Sequence, residues 1–424
     1  MLLETEKYKI LVDAGIQVGK EKNAYPLIPE GLAKKLDAII VCHAHIDHTG
    51  YVPFLVKQGF KGNIFATTPT RDIMHLLLSD AAKIAKENKT VFYNTKDIEK
   101  TMKLVKALGF GKETEILQGI KLKFLNAGHI LGSAEALIKA DEKSILYSGD
   151  INTRESNLLL PAELPKEKID VLIMESTYAG KKDILPSLQK SSKELADEIK
   201  NTLKRNGKVL IPSFAVGRGQ EVMFAVENYV RSRYLPEMDI WLDGMLTRAN
   251  RICRHNVVFM KPEIPNRILM ADDDPFKSPY FKQPKSKNKK EVFQSKKAII
   301  ISTSGMMSGG PALGYFKRLA PFEKNAVIFV GYQAEGTLGR ELIEGKKTVE
   351  IRGQKIKVRC RIKQAKFSGH ADYNGLLGFA LGVNAEKTLL IHGEKNKLPE
   401  FRETLEKRLK KTVLVPNLKE TIHI

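Results

Sequence analysis

The sequence predicts an α/β protein in which one layered domain, built to hold metal, is split by an inserted second α/β domain. Three observations carry this expectation. The hexapeptide His43-Ala44-His45-Ile46-Asp47-His48 follows an apolar run over 38–42 that reads as a buried strand. Polar groups recur just past the ends of other predicted strands, at Asp13, His129, Asp150 and Glu175. After a middle stretch of different character, His370 and His392 return in the same strand-end setting.

The first part alternates strands and helices. Residues 8–12 predict a strand ending at Asp13-Ala14-Gly15, and 38–42 a strand ending in the histidine motif. Residues 69–87 and 95–108 have helical apolar spacing. Strands over 121–126, 144–148 and 170–174 end at Gly128-His129, Gly149-Asp150 and Glu175-Ser176-Thr177. One polar residue after a strand is usually a turn former. A series of imidazoles and carboxylates there converges on one sheet edge, where α/β proteins bind ligands. The hexapeptide alone has enough ligands to begin two metal sites, and a strand end holds them rigidly.

The middle part repeats strand, small-residue loop, helix. Strands over 208–211, 298–302 and 326–330 lead through loops 212–219, 303–310 and 331–336 into helices over 220–230, after Pro311 and near Thr337. Such loops present backbone N–H groups and helix N-termini, which favour phosphate. Ser213, Arg218, Ser304, Tyr332, Gln333 and Thr337 are the candidate contacts to backbone phosphate or ribose. Contacts of that kind position a strand without reading its sequence. The helix over 191–205 presents Leu195, Ile199 and Leu203 as a core stripe. The basic stretch 282–297 reads as an exposed, mobile loop. A strand-like stretch over 355–362 then leads to Phe367-Ser368-Gly369-His370-Ala371-Asp372. A strand over 388–391 ends at His392-Gly393-Glu394, and a helix over 398–409 and a strand near Val413 close the chain. The expected divisions are 1–180 and 356–424 for the discontinuous domain and 181–355 for the insert.

Composition agrees with this organisation. At 424 residues the chain exceeds one ordinary core. Its 42% hydrophobic and 28% charged residues suit a globular protein. No apolar run approaches the ~20 residues that span a bilayer, and no signal peptide is visible, so a cytoplasmic location without membrane is expected. Cys42, Cys253 and Cys360 are too scattered for thiolate zinc or a disulfide framework, and Cys42 is expected to face the core. The net charge of +21 points to a polyanionic partner such as nucleic acid. His75, His255 and His423 lack neighbouring ligands and receive no role.

Asp13, the motif from His43 to His48, His129 and Asp150, taken in order, resemble the metallo-β-lactamase superfamily. Glu175, His370 and His392 resemble the three additional motifs of its β-CASP nucleases, and the match covers almost the whole chain. It looks most like short archaeal members related to the cleavage and polyadenylation specificity factor endonuclease. The resemblance implies a metallo-β-lactamase αββα sandwich with an inserted β-CASP α/β cap domain forming the other wall of a cleft. It implies two Zn2+ ions, with His43, His45 and His129 on the first, Asp47, His48 and His392 on the second, and Asp150 bridging them. Asp13 would orient the histidine motif, and Glu175 and His370 would pair beside the scissile phosphate with Asp47 also catalytic. Longer archaeal members carry KH domains, for which this chain has no room. It departs from the family pattern at its start. Met1 stands almost at the Asp13 strand, where members first have a strand and a Gly-x-x-x-Val-Gly turn, so either the start is late or an edge strand is missing.

The implied activity is a zinc-dependent ribonuclease, mainly endonucleolytic with 5′-to-3′ trimming, acting on single-stranded RNA in RNA processing or transcription termination. A homodimer working beside transcription or RNA-processing machinery is implied as well. A DNA nuclease is the nearest rival, but repair members tend to carry Val where this chain has His392. A thioesterase or lactonase fits neither the insert nor the charge. A non-catalytic RNA-binding paralogue would have lost ligands, and all seven are present.

Overall fold

In the computed structural model, which describes residues 1–16, 25–87, 92–286 and 288–424, the alternating apolar residues pair into strands in chain order. β1 (Leu2–Glu4) lies antiparallel to β2 (Lys9–Val12). β3 (Ala38–Ile40), β4 (Asn63–Thr67) and β5 (Val105–Leu108) extend that sheet in parallel. A second sheet begins with β6 (Thr114–Leu117), β7 (Ile120–Asn126), β8 (Ala134–Ala140) and β9 (Lys143–Tyr147), all antiparallel, and continues with β10 (Val171–Ser176), parallel to β9.

The chain then builds a separate sheet. It comprises β11 (Lys208–Pro212), β12 (Ile240–Asp243), β13 (Phe281–Lys282), β14 (Ala298–Ser302) and β15 (Ala326–Phe329). β16 (Thr348–Ile351) and β17 (Gln354–Lys357) form a hairpin of their own, and β18 (Arg361–Gln364) rejoins the sheet. All pairs in this sheet are parallel, in the order β13-β12-β14-β11-β15-β18. Finally β19 (Lys387–Gly393) and β20 (Thr412–Leu414) complete the second sheet, in the order β20-β19-β10-β9-β8-β7-β6.

Two compact units result. One is Met1–Glu155, Leu159–Ile184 and Gly369–Ile424; the other is Ser156–Leu158 and Leu185–Ser368. In the first, period-2 alternation assigns each strand face. Val171 and Ile173 of β10, with Ala134, Ala136 and Ile138 of β8, meet Ile10, Val12, Ile40 and Phe65 of the opposite sheet. Leu172 and Met174 face the other way, onto Leu376 and Phe379 of the helix Tyr373–Val383 and Phe401 and Leu405 of the helix Leu398–Leu409. The helix Thr68–Glu87 buries Ile73, Met74 and Leu78 beside the first sheet. Helix, two sheets and helix make an αββα sandwich. The other unit packs Tyr315, Phe316 and Leu319 of the helix Gly310–Leu319 on β11, β14 and β15, and the helix Leu188–Lys204 buries Leu195, Ile199 and Leu203.

The structure differs from the sequence reading in five places. β1 supplies an edge strand before the Asp13 strand. The helix expected over 95–108 stops at Leu104, because Val105 turns extended and residues 105–108 pair with β4. β10 runs on through Glu175 instead of ending before it. The stretch 355–362 divides into β17 and β18, and β18 belongs to the sheet of the inserted unit. Most of the stretch 282–297 is not a free loop: Val292 is buried in the helix Lys290–Gln294, and the Glu291 carboxylate accepts Ser286 N at 3.0 Å and Ser286 Oγ at 2.5 Å. Lys287 lies outside the described residues. Among the described residues no helix is long and apolar enough to cross a membrane.

Candidate metal centre

The hexapeptide turns immediately after the β3 edge. His45 caps the one-turn helix Ile46–Thr49, which swings His48 back towards His43. This turn lies against the 13–16 segment, where Ala14 N donates to His48 O at 2.7 Å and Ile16 N to Ile46 O at 2.9 Å. A side chain at Gly15 would not fit, since its Cβ would stand 1.6 Å from Asp47 O. Asp13, just past β2 with φ 53°, accepts Cys42 N at 2.8 Å through one oxygen and faces His48 Nδ1 at 2.7 Å through the other. That contact orients His48 so that Nε2 points into the site.

His129 sits in the loop after β7. Ser133 Oγ accepts the His129 N–H at 3.0 Å, and His129 Nδ1 donates to Gly369 O at 2.8 Å, leaving Nε2 inward. Asp150 follows β9 through Gly149. Its Oδ2 stands 3.5 Å from His43 Nε2, 3.5 Å from His48 Nε2 and 3.7 Å from His129 Nε2. Its Oδ1 stands 3.5 Å from His392 Nδ1. Glu175, within β10, accepts Ile151 N at 2.7 Å and holds His370 Nδ1 at 3.0 and 3.1 Å. His370 Nε2 lies 4.0 Å from Asp150 Oδ2.

Two donor groups flank Asp150. His43 Nε2 and His129 Nε2 each stand 3.2 Å from His45 Nδ1. Asp47, which is exposed, joins His48 and His392 in a second group whose ligand atoms lie within 4.8 Å of one another. The electrostatics suit cations. Burial, then the neighbouring imidazoles, hold His43 and His129 well below the usual histidine range, and burial also lowers His45. These are the unprotonated forms that ligate metal. A cation between them would be met by their lone pairs. Nitrogens bound at 2.0–2.1 Å in a tetrahedron stand roughly 3.3 Å apart, close to the spacing found. Asp150 stays well below the usual carboxylate range: burial opposes this, but His48, His392, His370 and His43 outweigh it. His48 shifts upward, because the Asp150 and Asp13 carboxylates overcome its burial. His48 Nε2 and Asp150 Oδ1 are buried with no hydrogen-bond partner among the described residues. Unpartnered buried ligand atoms of this kind fit a metal pair, which would displace the proton from His48, and imidazole with carboxylate favours zinc over magnesium.

All ten residues that the sequence assigns to this centre, Asp13 included, therefore lie together. Cys42 is buried in the inter-sheet core and outside both donor sets. The six candidate phosphate contacts lie in the other unit, in loops following the adjacent strands β14, β11 and β15. They are unequal. Gln333 is buried, and its Nε2 donates to Gly305 O and Gly331 O at 3.1 and 3.2 Å. Thr337 caps the helix Leu338–Ile343. Ser213 is buried, Arg218 and Ser304 are partly exposed, and Tyr332 is exposed. Ser133 and the Gly369 carbonyl are absent from the sequence reading. A backbone carbonyl leaves no mark in a sequence, whereas Ser133, four residues after His129, could have been noticed as a turn-forming hydroxyl.

Residues 2–177 match the metallo-beta-lactamase superfamily domain, 219–342 the Beta-Casp domain, and 355–416 the Zn-dependent metallo-hydrolase RNA specificity domain. An RNase J-like protein of Methanocaldococcus jannaschii is 40% identical over 415 residues, covering 98% of this chain and 94% of that one. Transcription termination factor FttA of the same organism is 38% identical over 439 residues, and that of Methanothermobacter thermautotrophicus 37% over 440. Each FttA match covers 100% of this chain and 69% of the relative. With this similarity and its clustered histidines and aspartates, the chain belongs to the metallo-β-lactamase superfamily, in the branch that carries a Beta-Casp domain, and is a metallo-hydrolase of that family.

Proposed function

We propose that this protein is a di-zinc ribonuclease that hydrolyses phosphodiester bonds of single-stranded RNA, mainly internally and with 5′-to-3′ trimming, in RNA processing or transcription termination. The observation that carries this is the Glu175–His370 pair set beside two donor groups that flank Asp150. His43, His45, His129 and Asp150 would hold one zinc, and Asp47, His48, His392 and Asp150 the other. When bound, the two ions supply positive charge against the phosphate and lower the pKa of water.

The chain's own contribution is proton control. Glu175 faces His370 Nδ1, so that nitrogen keeps its proton and Nε2 points towards Asp150. The carboxylate stabilises the imidazolium, whose Nε2–H can be given to the departing ribose oxygen. Hydrolysis then adds hydroxyl to phosphorus and a proton to the 3′ oxygen, leaving a 5′-phosphate and a 3′-hydroxyl. Glu175 also accepts the N–H of Ile151, next to Asp150, so one carboxylate sets both the proton donor and the shared ligand.

The loops after β11, β14 and β15 suit backbone phosphate, with Arg218, Ser304 and Tyr332 as the accessible contacts. The names of the relatives support work beside transcription or RNA-processing machinery. A cytoplasmic homodimer is part of the same reading, and light scattering on the purified protein tests the dimer. The main test is incubation of zinc-loaded protein with end-labelled RNA and matched DNA. RNA should be cut internally to 5′-phosphate products, and Asp150→Ala or His392→Ala should abolish cutting. Preferential cutting of DNA, or undiminished cutting by these variants, refutes the reading.

A further inference from the structure

The ligands of the centre are not held equally. His48 and His129 each have their outward ring nitrogen tied, to Asp13 and to Gly369 O. The side chains of His43, His48 and His129 are 1%, 6% and 5% exposed. His392 is 41% exposed, so packing does not fix it. Its backbone is unusual too. Glu175 pairs with Ile391 and Ser176 with Gly393, which leaves His392 as the extra residue of a β-bulge. It adopts φ 52°, a left-handed conformation that is unfavourable for a non-glycine residue. Something must hold both the bulge and the ring.

Thr177 is placed to do so. Its Oγ1 stands 3.3 Å from His392 O and 3.3 Å from His392 Nδ1. Among the described residues its Oγ1 and Asp150 Oδ1 are the side-chain oxygens within 3.5 Å of that ring nitrogen. Thr177 is itself anchored, its N–H reaching Glu175 Oε2 at 3.4 Å. Because Nδ1 is the nitrogen that faces Asp150, it must offer its lone pair to a metal. The Thr177 hydroxyl then donates its proton to His392 O, and its oxygen lies against the ring. We infer that Thr177 is a positioning residue for the second metal site: its hydroxyl pins the His392 bulge so that Nδ1 points into the centre. This rests on the two-metal reading above. The first donor set does not include His392 and is independent of Thr177.

The test is a titration of metal-free protein with Zn2+ against a chromophoric chelator, repeated with Co2+ to follow its ligand-field spectrum. Wild type, Thr177→Val, Thr177→Ala and Thr177→Ser are compared, with circular dichroism and the melting temperature of the metal-free forms as folding controls. Thr177→Val and Thr177→Ala should bind the first equivalent as wild type does and the second about 10–100-fold more weakly. Thr177→Ser, which keeps the hydroxyl, should restore the second. If the Val variant does not fold, the Ala and Ser pair decides. Unchanged uptake of both equivalents without the hydroxyl overturns the assignment while leaving the di-zinc ribonuclease standing. Wild type that takes up one equivalent overturns the two-metal reading and this assignment with it.

Discussion

Glu175 and His370 show how a single contact separates ligation from catalysis. His370 also groups with His129 and Asp150 closely enough to hold a metal, but its Nδ1 is committed to Glu175 and the proposed sets do not use it. His370→Ala should therefore lower single-turnover RNA cleavage by about 10²–10⁴-fold, the usual worth of a positioned general acid. Bound zinc, measured by mass spectrometry, should stay at the wild-type level. Loss of zinc in step with activity would recast His370 as a ligand. His43, Asp47, His48 and Asp150 were legible in the sequence because their chemistry is carried by residue type at a strand end. Which nitrogen of each imidazole faces inward was not, because that choice is made by partners far along the chain, such as Gly369 O for His129.

Single strands and helices carry their own tests. In β8 the residues that face the inter-sheet core are Ala134, Ala136 and Ile138, while Glu135 lies on the opposite face with Leu137. Glu135 is fully buried, and among the described residues the one group that approaches its carboxyl oxygens is the Glu163 backbone N–H, outside normal hydrogen-bond geometry. Burial, then the Glu163 carboxylate, hold it well above the usual carboxylate range, which favours its neutral form in the fold. The unfolded chain ionises near 4.5, so stability is lost as pH rises above that value. Glu135→Gln should raise the melting temperature at pH 7.5 by at least ~2–4 °C, about 1 kcal/mol, with the gain shrinking towards pH 4.5. A lower melting temperature at pH 7.5 would show that the carboxyl serves the fold. Thr337 makes a second case. As the cap of the helix Leu338–Ile343 it accepts Arg340 N at 3.3 Å. Thr337→Ala should cost ~1 kcal/mol in denaturant unfolding and leave RNA affinity unchanged; weakened RNA binding in a stably folded variant would return Thr337 to the phosphate contacts. Elements with a continuous apolar run or a helical pattern, such as β10 and the helix Leu398–Leu409, could be read locally. The short edge strand β5 could not, because pairing with β4 overrode the helical spacing of Val105 and Leu108.

At the scale of the whole molecule, charge and topology matter most. A net charge of +21 with phosphate-type loops implies RNA binding driven by counterion release. Affinity for a single-stranded oligonucleotide, followed by fluorescence anisotropy, should fall linearly with log salt, with a slope of about −0.7 per phosphate contacted. A flat salt profile would count against the loops as phosphate contacts. The sequence by itself determined the alternation of strands and helices, the insert and the order of the candidate ligands at strand ends, while the sandwich and the two ligand sets came with the family resemblance. The former follow from local rules: alternation along strands, ligand types at strand ends, and small residues between strand and helix. Only the tertiary structure decided how the pieces are shared. It assigned β18 to the inserted sheet, made His392 the odd residue of a bulge with Thr177 beside it, and turned Gln333 inward as a brace between loops. Each of these depends on pairing across long chain separations, where one partner's position has no expression in the other's local sequence.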